Sequence, residues 1–122
     1  MSKQILVVDD DITSLDIVAF VFEKRGFKVE RAADGPAAVK FLQDNEIDLA
    51  IFDLLMPGMN GVEAVRLIRD GNLSKAPIIA FTAVDDPDLH ESAVTAGCNS
   101  VLTKPCSTDR LVKEIKKYLE LN

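Results

Sequence analysis

Short apolar runs that each end in polar residues constrain the fold of this chain more than any other feature. They are ILVV at residues 5–8, LAIF at 49–52, IIAF at 78–81 and VL at 101–102. Runs this short, alternating with amphipathic helical patterns, are typical of parallel strands that are buried on both faces. Because the carboxyl ends of parallel strands meet at one edge of a sheet, the polar residues after the runs are expected to lie together.

The segments between the runs carry helical patterns, which complete five βα units. The first helix is predicted from apolar residues at i, i+3, i+4 and i+7 from Leu15, with Thr13 or Ser14 as its N-cap and Gly26 at its end. A short edge strand is predicted to begin at Phe27. The other helices are predicted at about 36–44, from 60–61 to about 71, at about 87–97 and at about 108–121. Helices on both faces of a five-stranded parallel sheet make a doubly wound α/β fold, with the first strand near its centre.

Length and composition limit the classes to which this chain can belong. Its 122 residues suit one domain with a single core. A net charge of −6 and a pI near 4.7 disfavour nucleic acid as a partner, since phosphate binding needs a basic surface. No apolar run reaches the ~20 residues of a membrane span. With no signal-peptide pattern and only Cys98 and Cys106 as thiols, a cytoplasmic protein without membrane contact is predicted.

Carboxylates, a hydroxyl and an ammonium group follow the apolar runs. They belong to Asp9, Asp10, Asp53, Thr82 and Lys104. Converging carboxylates repel and raise one another's pKa unless a cation lies between them. Magnesium suits such a site because it binds one or two carboxylates together with water and phosphate oxygens. Aspartates after strands can also be turn residues or helix N-caps, and this alternative stays open above all for Asp11.

Four motifs stand in the order and spacing of one known family. They are VVDD at residues 7–10, DLLMPGMNG at 53–61, FTA at 81–83 and TKP at 103–105. On these motifs the whole chain resembles the receiver domain of two-component response regulators. The resemblance implies a flavodoxin-like (βα)5 sheet with strand order 2-1-3-4-5 and a single receiver domain over residues 1–122.

The resemblance also implies a signalling domain and not an enzyme with external substrates. Such a domain accepts a phosphoryl group from the phosphohistidine of a histidine kinase, and it catalyses only its own phosphorylation and slow dephosphorylation. By this resemblance Asp53 is the phosphoacceptor, Thr82 closes onto one phosphoryl oxygen and Lys104 pairs with another. The peptide bond between Lys104 and Pro105 is expected to be cis.

A Mg²⁺ (or Mn²⁺) site follows from the same resemblance. Asp10 binds the ion directly, Asp9 is its partner at the ion, and Asp53 and the backbone carbonyl of Leu55 complete the protein ligands. The implied partners are a histidine kinase or phosphotransfer protein upstream. Downstream, an effector protein in trans or an output domain outside this chain is implied, and the affinity for it changes on phosphorylation.

Two positions, Val101 and Cys106, differ from the pattern that is common in this family. Val101 stands where an aromatic residue usually swings inward on phosphorylation, so we expect movement of Thr82 and the following loop to carry the signal. Leu55 and Val84 are aliphatic at the two positions that tune hydrolysis, which predicts a long-lived phosphoaspartate. The acidic segment 85–91 fits either a partner surface or a solvated helix start.

Three alternative classes share the fold or the metal. A phosphatase of the haloacid dehalogenase type needs a second aspartate two residues after the nucleophile, where this chain has Leu55. A pseudo-receiver, a binding module without phosphorylation, typically lacks the acceptor, the acidic pair or the lysine, and all are present here. A flavodoxin needs a hydroxyl- and glycine-rich phosphate loop after the first strand, where residues 9–12 read DDDI. The site residues favour a receiver, while its cognate kinase, stimulus and target stay open.

Overall fold

Parallel strands and surrounding helices alternate along the whole described chain, which is residues 3–119 in a computed structural model. The strands are β1 (Gln4–Val8), β2 (Lys28–Ala32), β3 (Leu49–Phe52), β4 (Ile78–Thr82) and β5 (Ser100–Thr103). The helices are α1 (Ile12–Glu23), α2 (Gly35–Asp44), α3 (Gly61–Asp70), α4 (Pro87–Ala96) and α5 (Thr108–Leu119). All pairings are parallel and the strand order is β2-β1-β3-β4-β5. This order confirms the predicted flavodoxin-like fold, with β2 as an edge strand.

Two apolar cores, and not the single core expected from the chain length, cover the two faces of the sheet because side chains alternate along each strand. On β3, Leu49 and Ile51 belong to the core shared with α1 and α5. Ala50 and Phe52 belong to the opposite core, shared with α2, α3 and α4. Burying each large apolar side chain of this kind contributes about 1.5–3 kcal/mol, so a one-residue slip of a strand is strongly disfavoured.

The start of α1 differs from the sequence prediction. Its N-cap is Asp11, not Thr13 or Ser14, and the Asp11 carboxylate accepts hydrogen bonds from the Thr13 amide (3.0 Å) and the Ser14 hydroxyl (3.2 Å). The backbone of Asp11 is extended, as an N-cap requires, because the chain turns into the helix almost directly after β1. The sequence left open whether Asp11 is a helix N-cap or a member of the site, and the structure shows that it is an N-cap.

The remaining predicted bounds agree with the structure to within a few residues. The predicted start of the second helix at Pro36 lies one residue inside α2, which begins at Gly35. The predicted end of the last helix at residue 121 lies outside the described residues. Tyr118 and Leu119, near the end of α5, pack against the core shared by α1 and α5. Within residues 3–119, no helix combines the length and apolar character needed to cross a membrane.

Candidate functional site at the carboxyl edge of the sheet

The register of β1 and β3 brings the predicted carboxylates together. Val8 lies opposite Phe52, and the Asp53 amide donates to the Val8 carbonyl at 2.9 Å. One carboxylate oxygen from each of Asp9, Asp10 and Asp53 lies within 4.8 Å of the others. Asp9 is buried at 4% exposure, Asp53 is half-buried and Asp10 faces solvent. This cluster (the acidic cluster) therefore offers oxygen ligands from both the interior and the solvent side.

Lys104 directly follows the edge strand β5, and its side chain reaches the acidic cluster at the ends of β1 and β3. Its ammonium nitrogen lies 3.0 Å from Asp9 Oδ2, although the two residues are 95 positions apart in the sequence. The second Asp9 oxygen accepts a hydrogen bond from the Asp11 amide at 2.9 Å. Backbone pairing positions Lys104, because its amide donates to the Thr82 carbonyl at 2.7 Å. The Lys104–Pro105 peptide is cis, as predicted.

The pKa of the Asp53 carboxyl lies above its ordinary value, and burial is the main cause. The Leu55 amide, which donates to Asp53 Oδ1 at 3.2 Å, and the Lys104 ammonium both lower this pKa. The Asp9 carboxylate raises it. Burial, together with the nearby Asp9 carboxylate, disfavours the negative charge of ionised Asp53, and a cation bound beside it would offset this cost.

Thr82 lies at the end of β4, next to β3, and is fully buried. Its hydroxyl oxygen accepts a hydrogen bond from the Val84 amide at 3.2 Å. The carbonyl of the same Val84 lies 2.8 Å from the ring nitrogen Nε2 of His90 on α4. Thr82 is thus linked to α4 through one loop residue. The sequence did not indicate this link, because histidine at a helix start has many structural uses.

Two further residues shape the site in ways that the sequence pattern did not indicate. The ring of Phe81 lies beneath the Lys104 ammonium, with 5.1 Å between the nitrogen and the ring centroid. Gly61, the first residue of α3, lies against the backbone of Asp53 and Leu54, and its amide donates to the Leu54 carbonyl at 2.9 Å. The only sequence signals were an aromatic residue directly before Thr82 and a glycine directly after the Asn60 N-cap.

The two positions predicted to tune hydrolysis border the site without polar side chains. Leu55 is 52% exposed beside Asp53, and Val84 is half-buried next to Thr82. Val101 is also half-buried and packs against the core of α2, α3 and α4. A groove of about 520 Å³ runs beside it along β5 and the following loop. None of these three side chains can donate or accept a hydrogen bond.

The donor set of the acidic cluster fits a hard divalent cation. Three carboxylates in mutual reach supply only oxygen, the ligand type of Mg²⁺ and Mn²⁺. Lys104 occupies one oxygen of Asp9 and leaves solvent-facing Asp10 open to a ligand. An acidic pocket of this kind is how receiver domains bind Mg²⁺.

A doubly wound sheet with an acidic cluster, a threonine and a lysine at one carboxyl edge defines the receiver class of signalling domains. Residues 5–116 match the family described as the response regulator receiver domain, and this chain belongs to that family. Receiver domains act in two-component phosphorelays, where they interact with histidine kinases and downstream effectors. The family assignment agrees with the resemblance drawn from the sequence motifs.

Two solved structures and one further protein sequence match this chain over nearly its whole length. The Vibrio cholerae chemotaxis protein CheY4 is 31% identical with a TM-score of 0.91, over 98% of this chain and 100% of that one. A CheY-like receiver domain protein from Methanospirillum hungatei JF-1 is 28% identical with a TM-score of 0.92, over 98% of this chain and 95% of that one. The CAI-1 autoinducer sensor kinase/phosphatase CqsS of Vibrio cholerae is 33% identical over 119 residues. This match covers 96% of this chain but only 17% of that protein.

Proposed function

We propose that this chain is a single receiver domain that is phosphorylated on Asp53 with the help of a divalent cation. The observation that carries the proposal is the acidic cluster, whose three carboxylates lie within 4.8 Å of one another beside the Lys104 ammonium. Asp9, Asp10, Asp53 and the backbone carbonyl of Leu55 are the proposed ligands of Mg²⁺ or Mn²⁺. When bound, the cation would neutralise charge on the phosphoryl oxygens.

Asp53, Lys104 and Thr82 have different roles in the proposed phosphoryl transfer. A carboxylate oxygen of Asp53 forms a bond to phosphorus while the N–P bond of the donor phosphohistidine breaks, and the electron pair stays on the imidazole nitrogen. Lys104 pairs with one phosphoryl oxygen, and the Thr82 hydroxyl donates to another. Both groups act where charge is spread in the transition state, which is where most catalysis of this reaction arises. In the later hydrolysis, water forms a bond to phosphorus, the bond between phosphorus and the Asp53 oxygen breaks, and the Asp53 carboxylate and inorganic phosphate result.

Intact mass spectrometry after incubation with Mg²⁺ and acetyl phosphate tests this function. We expect a gain of one phosphoryl group that hydroxylamine removes and that a chelator prevents. A purified histidine kinase domain carrying phosphohistidine should give the same product faster. A folded sample that gains no phosphoryl group from either donor would contradict the proposal and would favour a pseudo-receiver.

The phosphoaspartate is predicted to be long-lived, because Leu55 and Val84 have no polar group to orient an attacking water. Replacing both, Leu55→Asn with Val84→Glu, should shorten its half-life at least ~10-fold, since a positioned polar group commonly accelerates such steps by more than this. Loss of the phosphoryl mass with time, after removal of donor, measures the half-life. The matched apolar pair Leu55→Met with Val84→Ile should keep the wild-type value. An unchanged half-life in the polar variant would contradict the prediction.

The signal is proposed to leave the site through Thr82, Val84 and His90, since Val101 has no ring to move. If the Thr82 hydroxyl turns toward a phosphoryl oxygen, it must reorganise its hydrogen bond with the Val84 amide (3.2 Å). The Val84 carbonyl would pass that movement to His90 and α4 across a contact of 2.8 Å. We predict from the sequence that the partner of the phosphorylated form is an effector protein in trans or an output domain outside this chain. A cytoplasmic location is likewise a prediction from the sequence.

Beryllofluoride, which mimics the phosphoryl group, allows this route to be tested by NMR. We expect the Val84 amide and the His90 ring resonances to shift when beryllofluoride and Mg²⁺ bind. In His90→Ala the Val84 shift should persist while the shifts along α4 become smaller. Ser92→Ala, an exposed change on the same helix, should leave both intact. Unmoved resonances of residues 82–86 in the bound wild type would refute the route.

A further inference from the structure

We propose that Phe81 is a positioning residue that holds the Lys104 ammonium in place for phosphoryl transfer. This inference rests on the proposed function, because it concerns the group that pairs with a phosphoryl oxygen. Among residues 3–119, the ammonium nitrogen has two close partners, the Asp9 carboxylate at 3.0 Å and the face of the Phe81 ring at 5.1 Å from its centroid. The second distance falls within the range of a cation–π interaction.

The ring itself is firmly held. Phe81 is 8% exposed and belongs to the core shared by α1 and α5, with Leu102 opposite it on β5. Its neighbour Thr82 points to the other face of the sheet, because side chains alternate along a strand. Two consecutive residues of β4 therefore serve the site from opposite faces of the sheet. The Phe81 ring contacts the Lys104 ammonium, and Thr82 provides the hydroxyl. A shift of β4 would move both together.

An aromatic ring supports the ammonium in a way that a carboxylate does not. Asp9 serves two groups, because it pairs with Lys104 and is also a proposed ligand of the cation. The Phe81 ring has no such second role, so its contact with Lys104 can persist when Asp9 turns toward a cation. The ring is also uncharged and leaves the full positive charge of Lys104 available to a phosphoryl oxygen. This matters because the long lysine side chain is otherwise flexible.

The test compares Phe81→Leu and Phe81→Tyr with a matched core variant, Phe27→Leu. Phe27 is 9% exposed in the same core, but its ring packs edge-on against Phe22 at 5.7 Å. We expect Phe81→Leu to slow phosphorylation by acetyl phosphate roughly threefold to tenfold, the range that loss of a cation–π contact allows. Phe81→Tyr should retain the wild-type rate, and so should Phe27→Leu. Equal slowing in Phe27→Leu, or no slowing in Phe81→Leu, would overturn the inference.

A second readout does not depend on phosphorylation. Protons above an aromatic face are shielded, so the Lys104 ε-methylene resonances of the wild type should lie upfield of the values for lysine in an unfolded chain. The upfield shift should disappear in Phe81→Leu and remain in Phe81→Tyr and Phe27→Leu. Unshifted Lys104 resonances in the wild type would overturn the inference by themselves. If the shift is present but the wild type accepts no phosphoryl group, the proposed function fails while the Lys104–Phe81 contact stands.

Discussion

Replacing Asp53 with asparagine is expected to abolish phosphorylation of this chain, with a loss of at least ~1,000-fold in rate. The amide of asparagine is a poor nucleophile and removes one of the three carboxylates of the acidic cluster. Intact mass after incubation with acetyl phosphate and Mg²⁺ measures the effect. Asp85→Asn provides the matched control, because Asp85 is exposed in the loop after β4 and lies outside the cluster. That variant should be phosphorylated like the wild type.

Loss of folding is not expected to explain the Asp53→Asn result. A carboxyl whose folded pKa lies above its unfolded value binds its proton more tightly when folded, so its ionisation opposes folding at higher pH. In chelator at neutral pH, Asp53→Asn should therefore melt at the same temperature as the wild type or higher. The difference should shrink as the pH falls through the raised pKa of Asp53. Phosphorylation that persists in a folded Asp53→Asn variant would place the acceptor elsewhere.

Replacing Gly61 with alanine is expected to destabilise the fold by about 3 kcal/mol, a large value for adding one methyl group. A Cβ at this position would overlap the Asp53 carbonyl oxygen and would come within 2.8 Å of the Leu54 Cα. These are backbone atoms, which have little room to move. The variant should also bind Mg²⁺ more weakly, because Asp53 and Leu54 directly follow β3 and Asp53 belongs to the acidic cluster. Denaturant unfolding and Mg²⁺ titration measure the two effects.

Gly35→Ala is the matched control for this prediction. Gly35 and Gly61 are both buried and both begin a helix directly after an Asx N-cap. The three heavy atoms nearest to a Cβ at Gly35 would all belong to the side chain of Met59, with the sulfur 3.0 Å away. A flexible side chain can move aside, so the cost should stay below ~1 kcal/mol. If the two alanine variants are equally stable, the close approach of Gly61 to β3 does not constrain the site.

Much of the fold could be predicted because strands buried on both faces must be apolar throughout. The runs at residues 5–8, 49–52 and 78–81 all form strands, and the polar residues after them lie at one edge. The N-cap of α1 was misassigned because Asp11, Thr13 and Ser14 are all good capping residues. The choice among them depends on where the chain leaves β1, which the local sequence does not specify.

The sequence by itself determined the order of strands and helices, the family, and the residues that make up the acidic cluster, because these follow from local hydrophobic pattern and from motif spacing. The tertiary structure decided which of these groups touch. The Lys104 ammonium pairs with the Asp9 carboxylate, although the two residues are 95 positions apart in the sequence. The same ammonium lies over the face of the Phe81 ring. Gly61 fits against Asp53 because the loop after β3 places the first residue of α3 on the backbone of Asp53 and Leu54. Such contacts depend on how the chain packs in three dimensions, and neither propensity nor spacing encodes them.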